Sequence, residues 1–481
     1  MIDDFAVFPK TLATLALFLS LAFDLPAEER EFQQLGEIIE REVANKNLPM
    51  LSIILVDEDG VAWRYGTGTD ANNPDRVADS ETTYRIGSVS KLFTDIVVMQ
   101  MVEKGILDLD EPVTAYLPDF KPQNDFDEPI TLRLLMSHSS GLIREPPIGN
   151  YFDASAPTLT ETVASLNRTG LVYKPGSKVQ YSNAGIAVVG RILEKVSGIS
   201  FARLLEENAL RPLGMTRSAF TPEEHLLANL PEAYMWRYQG DRTVAPTFEL
   251  GMQPAGSMFS TMDDLALFMS ALIKKGAGLN DRILSEATLE QMWTPQSDIR
   301  SGRNRSFGIG FSLGRFADEM SVSHGGAIYG FATQLKVLPA SKLGVAVSTN
   351  LDMANGAINR ITDYALRVLL AEQAGQAMPE FHVSNTVTDA QAEQLLGLYE
   401  NEEATIRVTR RFEDLYIERI QGLSLRLRQA GGHIVIDDIM TYSDDIEFVD
   451  NKIRVFGDEY VRAGNEKPAE SNPDWAGLLG E

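Results

Sequence analysis

A serine hydroxyl is a weak nucleophile until a neighbouring group takes its proton, and Ser88 has a candidate three residues on, in Lys91. The run from Ser88 through Lys91 to Val102 reads as a helix, and residues three apart on a helix share a face. The hydroxyl and the amine are therefore expected side by side at its N-terminus. A lysine serves as a base only if its ammonium is disfavoured, and both burial and the positive end of the helix dipole act in that direction. The same terminus turns free backbone N–H groups toward the place where an oxyanion would form. The pattern alone is a weak signal, since about one or two Ser-x-x-Lys matches arise by chance in a chain of this length, and a solvated serine with a surface lysine fits it as well.

Two further motifs follow in order. After a Pro175-Gly176 turn come Tyr181, Ser182 and Asn183, then an apolar helix-like run that stops at Gly198. Much later, Ser321 to Ala327 places His324, Gly325 and Gly326 ahead of a strand-like stretch over 331–338. Ser-x-x-Lys with Ser-Asp-Asn and Lys-Thr-Gly is the motif set of penicillin-recognising serine enzymes. Here Tyr181 stands for the Ser of the second element, and His-Gly-Gly replaces the third.

With these motifs the chain resembles the serine β-lactamase-related hydrolases of the class C type, which include class C β-lactamases, DD-peptidases, D-aminopeptidases and β-lactamase-like carboxylesterases. Residues 135–142, Leu-Met-Ser-His-Ser-Ser-Gly-Leu, resemble a family stretch, as do Pro212-Leu-Gly-Met215, Pro254-Ala-Gly256 and the block 260–265. The resemblance covers about residues 30–375. It implies that Ser88 becomes the acyl-enzyme, that Lys91 and Tyr181 share proton transfer, and that Asn183 holds Lys91 or the substrate's amide. His324, Gly325 and Gly326 would line the substrate site, and the backbone N–H groups of Ser88 and Ala327 would hold the oxyanion. Tyr181 titrates ordinarily near 10, so it helps at neutral pH only if Lys91 or the local field stabilises its anion, and the pair must be coupled. Glycines at 325 and 326 suit a strand that a substrate approaches closely. Plainer roles exist for several of these: Tyr181 as a half-buried tyrosine, Asn183 as a helix cap, His324 as a structural histidine. His138 is expected to hold local structure rather than take part in chemistry.

The implied function is hydrolysis of esters or amides, with a β-lactamase-like esterase or a D-amino-acid peptidase as leading forms and a true β-lactamase or DD-carboxypeptidase as the alternative. The Lys of Lys-Thr-Gly normally helps bind a substrate carboxylate, whereas His324 is only partly charged near neutral pH. A different class stays open, an idle member that binds peptidoglycan-like ligands as a sensor. The expected partner is a small ester, amide or D-peptide. No cofactor is implied, since no pair of the five histidines has metal-ligand spacing.

Composition narrows the rest. With 43 basic and 68 acidic residues the net charge is -25, which argues against nucleic acid or an anionic membrane as partner. The absence of cysteine excludes disulfides, thiolate chemistry and a lipid-modified cysteine. Residues 11–23 form a short apolar run after Lys10, too short to span a bilayer and suited to a signal-peptide core within 1–24. Small residues at 20 and 22 favour export to the periplasm or outside, while Asp3 and Asp4 argue for a cytoplasmic protein with a buried N-terminal helix. Membrane contact is expected only through that segment.

The elements that must position these groups follow from periodicity. Residues 28–46 read as a helix, and 51–56 with 61–65 as a hairpin around Asp57 to Gly60. Residues 110–255 read as a lobe of helices and loops carrying Tyr181. Thr261 to Asp264 resembles a capping box. Strands at 331–338 and 343–348 and a helix over 358–374 close a unit spanning 28–376. The fold implied is an α/β (α+β) β-lactamase/transpeptidase-like fold, an antiparallel sheet flanked by helices with an inserted helical lobe. From 385 to 464, alternating runs at 406–408, 415–417, 423–427, 434–436, 446–448 and 453–456 predict a small C-terminal all-β domain, a barrel or sandwich, before a polar tail over 465–481. Because every catalytic motif precedes it, a chain ending near Met378 is expected to fold.

Overall fold

A computed structural model describes residues 27–236, 242–296, 306–419, 424–443, 446–455 and 457–463. The apolar run at 11–23 and the tail beyond 465 lie outside the described residues. Strand β1 (Met50–Val56) is buried at all 7 positions, the signature of a strand covered on both faces. It lies inside a sheet completed by β2 (Val61–Asp70), β3 (Asn73–Val77), β4 (Ser306–Phe307), β5 (Ser312–Phe316), β6 (Glu319–Ile328), β7 (Phe331–Leu338) and β8 (Leu343–Thr349). The order is β3-β2-β1-β8-β7-β6-β5-β4, antiparallel throughout. The expected hairpin is present: the Asp57 carboxylate accepts from the N–H groups of Asp59 (2.8 Å) and Gly60 (3.0 Å), tightening the turn.

Helix α1 (Ala27–Asn45) covers one face, burying Leu35 and Ile39 on Ile53 and Leu55. The opposite face carries α2 (Ser90–Glu103), α3 (Asn183–Ser197) of the helical lobe, and α4 (Met262–Ile273). Helix α2 has no polar face: Lys91, Thr94, Asp95 and Gln100 are buried along with its apolar residues, as in a helix enclosed on all sides. In α3, the Ser182 hydroxyl caps the start by accepting from Gly185 N at 2.9 Å, and Gly198, at φ 76°, ends it in the left-handed region. At α4, Thr261 caps as expected, accepting from Asp264 N at 3.2 Å, but the box is not closed. The Asp264 carboxylate instead accepts from Arg217 N and the Ser218 hydroxyl, tying in a lobe segment. A final helix, α5 (Asn355–Gln373), joins α1 on the first face.

The C-terminal part is a nearly closed all-β unit: β9 (Gly397–Glu400), β10 (Thr405–Arg411), β11 (Asp414–Arg419), β12 (Ser424–Ala430), β13 (His433–Asp437), β14 (Tyr442–Ser443), β15 (Ile446–Val449), β16 (Lys452–Val455) and β17 (Asp458–Arg462). Their order is β14-β13-β12-β11-β10-β9-β17-β16-β15. Each predicted run is a strand over its described residues, and pattern did not reveal three more, β9, β14 and β17, of which β9 and β17 pair with each other.

This unit is not a detachable appendage. Asp437 of β13 meets Lys46 Nζ at 2.7 Å and Arg360 of α5 at 3.2 Å, and Arg360 also meets Glu42 at 2.9 Å, all with side chains no more than 4% exposed. Burial raises the Glu42 carboxyl, whereas at Asp437 the two cations overcome burial and hold it below the usual carboxylate range. Ile439 packs into the core between α1 and α5. A chain ending near Met378 would leave Lys46 and Arg360 buried without Asp437, a cost that weighs against the expected independent folding.

Candidate active site

Ser88 lies two residues before the helix predicted to contain it. It occupies a tight 3-10 turn, Gly87–Val89, and α2 begins at Ser90. Gly87 has φ 52°, and a Cβ there would lie 2.8 Å from Ala327 N, so the turn needs glycine for both its conformation and its approach to β6. Ser90 is buried and fixes the turn, its hydroxyl donating to Gly87 O at 2.5 Å and accepting from Met258 N at 3.1 Å.

Lys91 is 1% exposed, with Nζ 3.0 Å from Ser88 Oγ and donating to Ala255 O. Burial lowers its pKa to about 7, against the opposing pull of Glu145 and Asp95. Asp95, one turn along α2, is wholly buried with neither carboxylate oxygen hydrogen-bonded, and burial raises it well above its ordinary value.

Tyr181 comes from the lobe, immediately before the Ser182 cap. The Lys91 ammonium nitrogen lies 4.9 Å from its ring centroid, and its hydroxyl hydrogen-bonds with Ser88. Burial pushes the phenol above its usual range, with the Ser88 bond pulling the other way. Tyr181 is thus a neutral phenol near neutral pH. The His138 ring lies 4.2 Å from that of Tyr181, tilted by 38°, its Nδ1 accepts from Ser182 N at 3.3 Å, and burial lowers its pKa well below the usual imidazole value.

Asn183 is neither a cap nor a partner of Lys91 in this geometry. Its amine donates to Glu145 Oε1 at 2.8 Å, and its buried carbonyl oxygen has no partner. Glu145 is the residue sequence reasoning missed. It follows the 135–142 segment, its second oxygen is buried and unpaired, and burial raises its carboxyl. Ala255, whose carbonyl holds Lys91, was flagged only as part of a shared block, because a backbone contact has no side-chain signature.

On β6, His324 is 5% exposed and its Nδ1 donates to Gly325 O at 2.7 Å, leaving Nε2 a buried acceptor without a partner. Burial, with Lys91 adding to it, lowers its pKa to about 4. The partly charged imidazole inferred from sequence is therefore neutral at physiological pH. A Cβ at Gly326 would meet Ile86 O at 2.0 Å, so the fold itself requires glycine there, whereas at Gly325 the nearest atom, Gln334 Oε1 at 3.0 Å, ends a flexible side chain. Ala327 N, on the residue after Gly326, lies beside the Ser88 turn, 2.8 Å from where a Cβ on Gly87 would stand. No group of residues suited to hold a metal occurs among the described residues.

This arrangement is that of a serine acyl-transfer centre built between a sheet and a helical lobe. The Beta-lactamase family model matches residues 35–369, and the chain belongs to that family, which places it among the serine hydrolases. It is 27% identical over 410 residues to Beta-lactamase-like protein 2 of Dictyostelium discoideum, a match covering 79% of this chain and 73% of that one. Among solved structures, the octameric penicillin-binding protein homologue from Pyrococcus abyssi is similar with a TM-score of 0.64 at 23% identity, covering 90% of this chain and 100% of that one. The D-amino acid amidase from Ochrobactrum anthropi SV3 is similar with a TM-score of 0.60 at 22% identity, covering 71% and 98%. At such identities the structures speak for the β-lactamase/transpeptidase-like fold.

Proposed function

We propose that the protein hydrolyses esters or amides that carry no carboxylate beside the scissile bond, through an acyl-enzyme on Ser88. The observation that carries this reading is Lys91 Nζ 3.0 Å from Ser88 Oγ with its pKa brought to about 7, a base both in reach and substantially unprotonated at neutral pH. As Ser88 Oγ bonds to the acyl carbon, its proton passes to Lys91. Tyr181, a neutral phenol in contact with Ser88, passes a proton on to the departing alkoxide or amine and is replenished from Lys91. The oxyanion lies between the N–H groups of Ser88 and Ala327. Water then repeats the sequence in reverse roles and frees Ser88.

Neutral His324 offers no cation to a substrate carboxylate, which weighs against β-lactams and C-terminal D-Ala peptides. The unpaired acceptors on Glu145 and Asn183 suit a substrate that brings a donor, such as a free amine. The test is a panel of p-nitrophenyl esters, D-amino-acid amides and a chromogenic cephalosporin, with intact-mass detection of a fluorophosphonate adduct. Esters or amino amides should be turned over in preference to the cephalosporin, and Ser88→Ala should lose both turnover and adduct. An adduct that persists in that variant, or a preference for the cephalosporin, would refute the reading.

A further inference from the structure

The peptide unit joining Gly326 to Ala327 carries the carbonyl of the first residue and the N–H of the second. Because a peptide is planar and trans, these groups point in opposite directions and turn together. Asn355 Nδ2 donates to Gly326 O at 3.0 Å. A side chain thus grips the back of the same peptide whose N–H faces the Ser88 turn. A donor on the carbonyl also polarises the amide and makes its N–H the stronger donor.

Asn355 is the first residue of α5, and what fixes it comes from the β unit. The preceding residue, Ala354, has no side chain able to cap the helix. Its role is filled by Ile439 O, which accepts from Gly356 N at 2.9 Å and Ala357 N at 3.2 Å. There is no slack in this seam: a Cβ on Gly356 would lie 2.2 Å from Thr441 N and 2.6 Å from Asp438 O. From the 438–441 turn the connection runs to the start of α5, then through Asn355 to the peptide of Ala327.

We infer that Asn355 is a positioning residue for the oxyanion donor on β6, and that the C-terminal β unit sets it through the Ile439 cap. The inference rests on the reading of Ala327 N–H as an oxyanion donor. It gives the β unit a part in acyl transfer although none of its residues has been placed among the reacting groups.

The experiment uses the full-length chain and a matched pair of neutral substrates, an ester and its thionoester, because an oxyanion site built of N–H donors favours oxygen over the larger, weaker acceptor sulfur. Wild type should prefer the oxo ester. Asn355→Ala and Asn355→Asp, which both remove the donor, should lower kcat on the oxo ester by about tenfold with KM little changed, and narrow the oxo-to-thiono ratio. Gly356→Ala should reproduce this pattern, and its combination with Asn355→Ala should be no worse than the worse single variant, because both act on one peptide. Should Gly356→Ala fail to fold, Ile439→Ala loosens the same seam and should give the same pattern at smaller size. An unchanged ratio in both Asn355 variants overturns the positioning role. A lower melting temperature with wild-type kcat and ratio in the seam variants overturns the part assigned to the β unit. A wild-type ratio near one would instead refute the oxyanion reading beneath both.

Discussion

Lowering the pH through about 7 should cost the enzyme its activity by a single proton, the one that binds Lys91. A lysine in water keeps its proton until about pH 10.4, so burial enlarges the neutral fraction at pH 7 by roughly a thousandfold. The sign follows from the role: the neutral amine accepts the Ser88 proton, so activity is present above the Lys91 pKa and lost below it. At about pH 5 roughly 1% of the free enzyme holds the neutral amine, so kcat/KM for an uncharged ester should stand near a hundredth of its plateau, having fallen about tenfold per pH unit. His324 does not steepen this limb, because its own titration lies at about 4. An imidazole left at its reference value near 6.5 would add a second proton and bring the fall toward about a hundredfold per unit. Initial rates on a p-nitrophenyl ester from about pH 5 to 9, corrected for spontaneous hydrolysis, separate the two cases, and His324→Gln should leave the limb in place. A two-proton slope, or a midpoint that moves in His324→Gln, would refute the account of burial given for both residues.

Ser90→Ala should keep the Ser88 adduct yet lower stability by about 1–2 kcal/mol in a denaturant titration, because its hydroxyl bridges Gly87 O and Met258 N in a buried turn. Lys91→Ala and Tyr181→Phe should each reduce kcat by at least about a hundredfold, and the double variant should be little worse than either, since they serve one proton; additive losses in steady-state kinetics would assign them to separate steps. Asp437→Ala should lower unfolding free energy by about 3–5 kcal/mol by leaving Lys46 buried without its ion partner and Arg360 with Glu42 alone, and a loss under about 1 kcal/mol would show that water reaches the cluster.

Much of this was legible in the chain itself. Strands β1, β7 and β8 announce themselves as apolar runs bounded by turn residues, and Ser88, Lys91 and Tyr181 as motifs in order. The remainder depends on approaches between distant segments, which no local pattern records. Glu42 and Lys46 stand four residues apart, but nothing local ties them to Arg360 and Asp437, and only the fold brings the four into one cluster. Likewise the charge of His324 depends on how completely β6 is covered, and Gly326 is required by Ile86 O, an atom every residue possesses. The 3-10 turn at Ser88 escaped because its helical spacing continues without a break into α2.

Strand β1 has a consequence for how the chain comes into being. One of its two neighbours, β2, follows at once, but the other is β8: Met50 N donates to Asn350 Oδ1, and the two residues are 300 apart in the chain. At a synthesis rate of about 5–20 residues per second, β1 waits on the order of 15–60 s for that partner. For that interval a strand apolar at every position but Ser52 has one open edge, a template for pairing with other nascent chains. Yield in the cell should therefore depend on chaperone supply and elongation rate more than on the melting temperature of the finished protein. Variants that slow translation between β2 and β8 should aggregate more even when their mature fold is unchanged.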